Sequence, residues 1–178
     1  MQDYGFERIG RRLFAEHLVG GNFGNMSIRH DDGFFIKRTG AYLDDPGEPV
    51  FAPLNGPVPK EASSEYRVHL AVYRAIPAYK AIVHAHPPHA IAASLVKDEI
   101  VPLDSEGEMF CKRIPVVSGD PGTQGLADAV AEAMEKNKLA IARGHGTFAA
   151  GATLDEAFQL TSLAEHSCRI IALKKAFE

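Results

Sequence analysis

The sequence predicts a single α/β domain of three layers, in which helices flank a mostly antiparallel central sheet. Three observations support this prediction. Segments with apolar residues at helical spacing alternate with short apolar segments that are typical of strands. The pair Asp32-Gly33 between two such short segments is typical of an antiparallel hairpin. The length of 178 residues suits one domain over residues 1–178, and no repeat or linker divides the chain.

The N-terminal half is expected to begin with a helix and to continue into short strands. Gly20-Gly21 ends the first helix, and Ser63 or Ser64 is a plausible N-cap for the second. Residues 41–62 are rich in proline and glycine and predict loops around one short strand. The predicted elements are, in order, a helix over residues 4–19, a strand after the GGNFGN turn, strands over residues 34–37 and 50–52, a helix over residues 65–75 and a strand over residues 81–86.

The C-terminal half is expected to alternate strands and helices and to end in a long helix. A helix begins at Pro87-Pro88, because proline is tolerated in the first helical turn. Thr153 is the expected cap of the last helix. The other predicted elements are strands over residues 100–103 and 114–117, a helix over residues 125–137, strands over residues 139–142 and 147–150 around the turn at 143–146, and a helix over residues 155–177.

The composition excludes several classes of protein. Hydrophobic residues make up 46% and charged residues 24% of the chain, and the net charge of −4 provides no basic field for nucleic acid. Cys111 and Cys168 form no Cys-x-x-Cys pair, so neither a disulfide framework nor a cysteine zinc site is predicted. The first residues lack the apolar core of a secretory signal, and no apolar run approaches the roughly 18 residues of a membrane span. The expected location is the cytoplasm.

The stretch AIVHAHPPHAIA, residues 81–92, raises the question of whether its histidines bind a metal or only lie near a turn. Side chains two residues apart on a strand point to the same face, so His84 and His86 project together. His89 lies beyond the prolines and need not join them. Catalytic zinc commonly takes three protein ligands and keeps one position open. His145, on a tight turn between two glycines, is the best candidate for the third ligand.

The other four histidines are interpreted as structural. His17 and His166 lie on predicted helices and His30 lies beside a turn, with nothing to pair them. His69 follows Glu65 by four residues, so it could share a helix face with that glutamate and flank a site. The preferred interpretation of His69 is nevertheless packing.

The stretch ASSEYRVH is first of all a helix start with serines and an early glutamate. A helix N-terminus with free N–H groups and two hydroxyls, from Ser63 and Ser64, is also a ready anion site. Glu65 in the same turn could act as a general base. The structural and the functional interpretations are compatible with each other.

The motifs GNFGNMS and RTG are glycine-rich turns that also offer uncharged hydrogen-bond donors. These donors are the amide of Asn25, the hydroxyl of Thr39 and the N–H of Gly40. Together with the two serines they could bind a phosphate without lysine, because backbone and hydroxyl groups can form such a cradle. This would suit a protein with no surplus of basic residues.

These motifs, in this order, resemble those of the class II aldolase/adducin family. The family's Gly-Asn-x-Ser turn, Thr-Gly loop, Ser-Ser-Glu element, His-x-His-Pro and Arg-Asn-His-Gly correspond here to GNFGNMS, RTG, SSE, HAHP and RGHG. The resemblance spans about residues 5–175. It implies a class II aldolase-like fold and a metal-dependent lyase. The expected reaction is the cleavage of a short ketose phosphate, such as L-fuculose 1-phosphate, to dihydroxyacetone phosphate and an aldehyde through a metal-stabilised enediolate.

The resemblance also assigns roles to individual residues. It implies that Glu65 is the catalytic base. It implies a Zn²⁺ ion, or another divalent ion such as Mn²⁺ or Co²⁺, on His84, His86 and His145. It implies a cradle for the phosphate of a small-molecule substrate on Asn25, Thr39, Gly40, Ser63 and Ser64. The expected assembly is a homotetramer with sites near subunit interfaces, and neither nucleic acid nor a membrane is an expected partner.

The chain departs from the family pattern at the position of a tyrosine and at the C-terminus, where longer relatives are expected to have a tail that reaches into the site, and it shows a lesser change in the RGHG turn. Ser118 or Gly119 stands where related aldolases have a tyrosine that donates a proton, and Gly144 stands where asparagine is usual. Other conceivable proton carriers, in predicted loops, are Glu106, Glu108 and Asp120. Three alternatives stay open: a decarboxylase of a phosphorylated 3-oxo acid or an aromatic acid, a methylthioribulose-phosphate-type dehydratase, and a non-catalytic interaction domain like the adducin head.

Overall fold

Eight strands form one open sheet in the computed structural model, which describes residues 4–178. The strands are β1 (Asn25–His30), β2 (Gly33–Ile36), β3 (Val50–Pro53), β4 (Ala81–Ala85), β5 (Glu99–Ile100), β6 (Ile114–Val117), β7 (Leu139–Ala142) and β8 (Gly146–Gly151). Their order across the sheet is β3-β2-β1-β4-β8-β7-β6-β5. Strand β4 is therefore central, and it pairs with β1 on one side and with β8 on the other.

The prediction of a mostly antiparallel sheet is confirmed, although the sheet is mixed. Neighbouring strands pair antiparallel except β6 and β7, which are parallel. A parallel pair needs a crossover connection, and a helix lies between these two strands in the sequence. The predicted hairpin of β1 and β2 is confirmed, but its turn is formed by residues 31 and 32, one residue earlier than the predicted Asp32-Gly33, because Gly33 in β2 already pairs with His30.

Helices cover both faces of the sheet. They are α1 (Phe6–Ala15), α2 (Tyr66–Ala75), α3 (Pro88–Ser94), α4 (Ser105–Phe110), α5 (Gln124–Met134) and α6 (Leu154–Lys174), which a short 3₁₀ turn, Lys175–Phe177, follows. Alternate residues of β4 face two different cores. Val83 packs in the core that includes α1, α3 and α6, whereas Ile82 packs in the core that includes α2 and α5. His84 has the same parity as Ile82 and therefore faces α2.

The observed helix ends differ from the predicted ones where local backbone geometry decides. Helix α1 ends at Ala15 instead of continuing to residue 19, because His17 takes a left-handed backbone conformation with φ 57°. The expected serine cap of α2 is wrong: Glu65 is the N-cap residue and no side chain caps this helix. The cap at Thr153 is confirmed, since its side chain accepts a hydrogen bond from the N–H of Glu156 at 3.1 Å.

One short helix, α4, replaces what the sequence analysis treated as loop. The strand predicted over residues 100–103 is only β5, which ends at Ile100. Asp104 then caps α4, because its carboxylate accepts a hydrogen bond from the N–H of Gly107 at 2.8 Å. Glu106 and Glu108 thus lie in the first turn of a helix and not in a loop. Within residues 4–178, no helix is long and apolar enough to cross a membrane.

Candidate metal centre and active-site cleft

Three histidines from two separate parts of the chain meet at one end of the central strands. His84 lies near the end of β4, His86 follows that strand directly, and His145 lies in the turn between β7 and β8. One ring nitrogen from each histidine lies within 4.8 Å of the corresponding nitrogens of the other two. The antiparallel pairing of β4 with β8 brings them together, because it places the turn before β8 beside the end of β4.

The ring nitrogens of His84 and His86 have the spacing of two ligands of one ion. Their Nε2 atoms lie 3.1 Å apart. Two ligands at ~2.05 Å from a tetrahedral ion would lie about 3.3 Å apart, so the observed separation fits a shared ion. Nδ1 of His145 is buried and has no hydrogen-bond partner, which leaves a polar atom that an ion or a small shift of the ring would satisfy. The three histidines therefore fit a divalent metal.

The surroundings keep these imidazoles neutral, which is the form that binds metal. Burial lowers the pKa of His84 well below its usual value, and the neighbouring histidines lower that pKa further. Burial lowers the pKa of His86 to about 4, with smaller contributions from His145 and the charge of Lys37. Burial also lowers the pKa of His145. The neutral ring of His84 also stacks on Phe148, with ring centroids 4.1 Å apart.

The turn that carries His145 is tied to the rest of the fold through its first two residues. The guanidinium of Arg143 donates to the carbonyl oxygen of Ser94 and forms an ion pair with Asp98. The N–H of Gly144 donates to the hydroxyl of Ser94 at 2.9 Å. Gly144 has φ +67°, a left-handed conformation that glycine adopts without strain and asparagine tolerates better than most residues. Glycine in the place of the usual asparagine therefore preserves the turn.

The cleft next to the three histidines contains every residue that the sequence predicts as a metal ligand, catalytic base or phosphate-binding group. Its volume is about 240 Å³. The predicted residues that line it are Asn25, Thr39, Gly40, Ser63, Ser64, Glu65, His84, His86 and His145. Four further residues line it as well: Asn22, Phe23, Gly24 and Lys37. The fold thus gathers the two glycine-rich turns, the start of α2 and the histidines around a single space.

Backbone hydrogen bonds hold the predicted phosphate-binding segments side by side. The N–H of Thr39 donates to the carbonyl oxygen of Glu61 at 2.8 Å, and the N–H of Ser63 donates to the carbonyl oxygen of Lys37 at 3.1 Å. These two bonds place the RTG segment beside the Ser63-Ser64 pair. Because neither serine caps α2, their hydroxyls are not committed to the helix, which is the arrangement that anion binding requires.

Glu65 lies at the first turn of α2 with its carboxylate in the same cleft. The side chain is buried, and its Oε2 atom has no hydrogen-bond partner. Burial raises the pKa of Glu65 above its usual value, while a backbone hydrogen bond from Gly122 and the charge of Arg67 oppose that rise. A carboxylate with a raised pKa and a free oxygen can accept a proton from a molecule bound in the cleft.

Lys37 is a cleft residue that the sequence analysis missed. Its ammonium group donates to the carbonyl oxygens of Asn22 and Ala41, at 2.8 and 2.6 Å. The side chain is buried, and burial lowers the pKa of Lys37 to about 8. The sequence signal that could have identified this residue is a lysine at the end of the apolar run FFI, directly before the RTG motif. The cleft therefore holds one positive charge in addition to its uncharged donors.

The position of the missing tyrosine lies outside this cleft. Ser118 is bound to Arg143, whose Nε donates to the serine hydroxyl at 3.3 Å. Among the described residues that line the cleft there is none of the conceivable proton carriers Glu106, Glu108 or Asp120. Glu106 is instead a hydrogen-bond partner of the Ser105 hydroxyl, at 2.8 Å. None of these three residues is therefore placed to replace that tyrosine in the cleft.

Comparison with known proteins gives one consistent result. Residues 6–172 match the family described as Class II Aldolase and Adducin N-terminal domain. The chain is 30% identical to the L-fuculose phosphate aldolase of Methanococcus vannielii, over 97% of each protein. It is 31% identical to the L-fuculose phosphate aldolase of Escherichia coli K12, over 85% of this chain and 72% of that protein. The crystal structure of l-fuculose-1-phosphate aldolase from Thermus thermophilus has a TM-score of 0.94 at 36% identity, covering 97% of this chain and 93% of that one.

Proposed function

Because the chain belongs to the class II aldolase and adducin family and its relatives are lyases, we propose that it is a divalent-metal-dependent aldolase of a short ketose phosphate. The products would be dihydroxyacetone phosphate and an aldehyde. L-Fuculose 1-phosphate is the proposed substrate, since relatives that share about 30% identity are named for it. The observation that carries the proposal is the convergence of three neutral histidines and one buried glutamate in a single cleft. One carboxylate oxygen of this glutamate, Oε2 of Glu65, has no hydrogen-bond partner.

The three histidines would hold the ion, for which Zn²⁺ is proposed and Mn²⁺ or Co²⁺ are alternatives. When bound, such an ion supplies a Lewis acid that polarises a carbonyl and stabilises the negative charge that develops on its oxygen. His84 is oriented for this task, since its Nδ1–H donates to the carbonyl oxygen of Thr147 and its other nitrogen points to the cleft.

Glu65 would take the proton from the carbon next to the substrate carbonyl, or return it. Its unpartnered Oε2 leaves one oxygen available for this transfer. A raised pKa suits this task, because it makes the carboxylate a better proton acceptor than an ordinary glutamate. A well-placed general base contributes roughly 10²–10⁴-fold to a rate.

The cradle of Asn25, Thr39, Gly40, Ser63 and Ser64 would bind the substrate phosphate. Gly40 has φ +76° and open space beside its Cα, so a ligand can approach its backbone closely. Lys37 would add the one buried positive charge on this side of the cleft. These groups surround the same space as Glu65, which would place the phosphate at a set distance from the base.

Deuterium exchange into dihydroxyacetone phosphate tests this proposal without a choice of aldehyde. The zinc-loaded protein is incubated with this ketone in D₂O, and loss of the carbon-bound proton is followed by NMR. We expect exchange that depends on the ion and falls at least 100-fold in Glu65→Gln, because the amide cannot accept the proton. Lys136→Met, a change at an exposed lysine outside the cleft, should exchange at the wild-type rate.

Absence of exchange in a fully metallated protein would reject the aldolase proposal. Release of carbon dioxide from phosphorylated 3-oxo acids or aromatic acids would then support the decarboxylase, and loss of water from a methylthioribulose-type phosphate would support the dehydratase. Failure to take up one divalent ion per chain would instead support an adducin-like interaction domain. The homotetramer and the cytoplasmic location stay predictions, and light scattering of the purified protein tests the first of them.

A further inference from the structure

A buried chain of four polar side chains leads from the core between the sheet and α2 to the cleft. The hydroxyl of Tyr73 lies 2.8 Å from the hydroxyl of Ser27. That serine oxygen lies 2.6 Å from Nδ1 of His69, and Nε2 of His69 lies 2.6 Å from Oδ1 of Asn25. Ser27, His69 and Tyr73 have no exposed surface, and Asn25 is 3% exposed. Only the last member of this chain lines the cleft.

Each member of the chain has a limited number of protons, and this limits the directions in which they can donate. Tyr73 has one hydroxyl proton, and its contact with the Ser27 hydroxyl is shorter than its alternative contact with the Ser27 carbonyl oxygen, which is 3.2 Å. If Tyr73 donates to the serine oxygen, the serine proton is free to bind Nδ1 of His69. A neutral imidazole whose Nδ1 accepts carries its proton on Nε2. That proton then points at Oδ1 of Asn25.

We propose that His69 is a positioning residue, whose Nε2–H holds Oδ1 of Asn25 and thereby turns the amide NH₂ of Asn25 toward the cleft as a donor to the phosphate oxygens of the substrate. The proposal rests on the phosphate cradle of the proposed function. An amide has one accepting and one donating end, so the end that His69 binds determines which end the cleft receives. In the reverse orientation Asn25 would present a carbonyl oxygen, which repels an anion.

Burial and sheet register support this role for His69. Burial lowers the pKa of His69 to about 3, so the ring stays neutral over the range in which the protein would work. Asn25 lies directly opposite His84 in the β1–β4 ladder. The orientation that His69 imposes therefore acts next to a metal-binding position, and both side chains belong to one rigid part of the sheet.

The tautomer of His69 can be measured in the zinc-loaded wild-type protein. Long-range ¹H–¹⁵N NMR correlations distinguish a ring that is protonated on Nε2 from one that is protonated on Nδ1. We expect the neutral Nε2–H form, with no change on addition of inorganic phosphate. A ring protonated on Nδ1 would overturn the proposal, because Asn25 would then have to donate to His69. This measurement needs no variant and so does not depend on the folding of one.

Two substitutions at His69 separate its two hydrogen bonds. The amide nitrogen of Gln can replace Nε2, so His69→Gln keeps a donor for Asn25. The shorter Asn reaches the position of Nδ1, so His69→Asn keeps only the contact with Ser27. We expect inorganic phosphate to bind His69→Asn about tenfold more weakly than wild type, and His69→Gln within about threefold of wild type.

Two further measurements make the outcome specific. Equal zinc content in wild type and in both variants would show that the metal site is unchanged. Any phosphate that binds to the ion would then contribute equally to binding in all three proteins. In exchange of dihydroxyacetone phosphate, the loss in His69→Asn should be in KM and not in kcat. If wild type binds phosphate and the two variants bind it with the same affinity as each other, the role of His69 is rejected while the proposed function stands. If wild type binds no phosphate, the cradle is rejected, and the orientation of Asn25 toward phosphate with it.

Discussion

Nδ1 of His84 donates a hydrogen bond to the carbonyl oxygen of Thr147 at 2.8 Å. A carbonyl oxygen can only accept, so this bond assigns the His84 proton to Nδ1 and leaves the lone pair of Nε2 free. Thr147 lies two residues after His145 and pairs with Ala85, the residue between His84 and His86. One strand pair therefore places all three histidines and orients the most buried of them.

The first prediction concerns the members of the histidine run. His86→Ala should reduce the bound divalent metal from one ion per chain to less than a tenth of that after dialysis, because two remaining ligands do not hold an ion well. His89→Ala is the matched control. Nδ1 of His89 instead forms a hydrogen bond with the carboxylate of Glu165 at 2.6 Å, and His89 is not among the three histidines that converge, so its removal should leave one ion per chain. Metal analysis of dialysed protein measures both, and equal metal loss in the two variants would contradict the assignment.

The second prediction concerns acid sensitivity. The pKa of His69 is about 3 in the folded protein and near 6.5 in the unfolded chain, so only unfolded protein takes up this proton below about pH 6.5. The contribution of His69 to the free energy of unfolding is therefore fully present above pH 6.5, and it is lost by about 1.4 kcal/mol per pH unit as the pH decreases from there toward 3. Urea unfolding of metal-free protein from about pH 8 to 4 measures this slope.

The control for the acid prediction is His69→Gln, which carries no titrating group at this position. Its slope below about pH 6.5 should be smaller than that of wild type by one proton. His84 and His86 contribute slopes of the same sign in both proteins, because their folded pKa values are lowered too. Parallel curves for wild type and the variant would show that His69 is not held neutral by the fold.

The third prediction concerns the charge of Lys37. Because burial lowers its pKa to about 8, this ammonium group is charged at neutral pH and loses its charge as the pH rises through 8. Inorganic phosphate should bind wild type progressively more weakly between about pH 7.5 and 9.5. Lys37→Met should bind phosphate roughly tenfold more weakly at the lower pH and show little further change as the pH rises.

Calorimetry measures both binding curves, and Lys136→Met, at an exposed lysine, should follow wild type. A pH-independent wild type would contradict the role of this charge.

The fourth prediction concerns close packing behind the metal site. A Cβ on Gly146 would lie 2.2 Å from the carbonyl oxygen of Ala85 and 2.9 Å from Cδ2 of His86. Gly146→Ala should therefore lower the free energy of unfolding by about 1–3 kcal/mol and weaken metal binding by displacing His86. Gly20→Ala is the control, since nothing lies within 4 Å of the position of its Cβ. If Gly146→Ala and Gly20→Ala gave the same unfolding and zinc titrations, β4 and β8 would be able to move apart here without a loss of stability.

Local patterns in the sequence determined much of the fold. The period of two along a strand placed His84 and His86 on one face, and the Asp32-Gly33 pair indicated the hairpin to within one residue of its turn. These predictions succeeded because they depend on residues close together in the chain. Helix ends were less accurate where a single backbone conformation decided, as at His17, and α4 was missed because it is held by one cap, Asp104, in a stretch with little apolar periodicity.

The ordered motifs also indicated the family, and the residues that they single out line one cleft, so residue types and their order in the sequence were enough for both. Only the tertiary structure decided how these segments meet. His145 joins His84 because β8 pairs with β4, and Asn25 lies beside them because β1 pairs with the other edge of β4. The proposed roles of Lys37 and His69 in phosphate binding depend on burial and, for His69, on partners more than forty residues away, such as Asn25. Burial and long-range register arise from the packing of the whole sheet, and local sequence does not encode them.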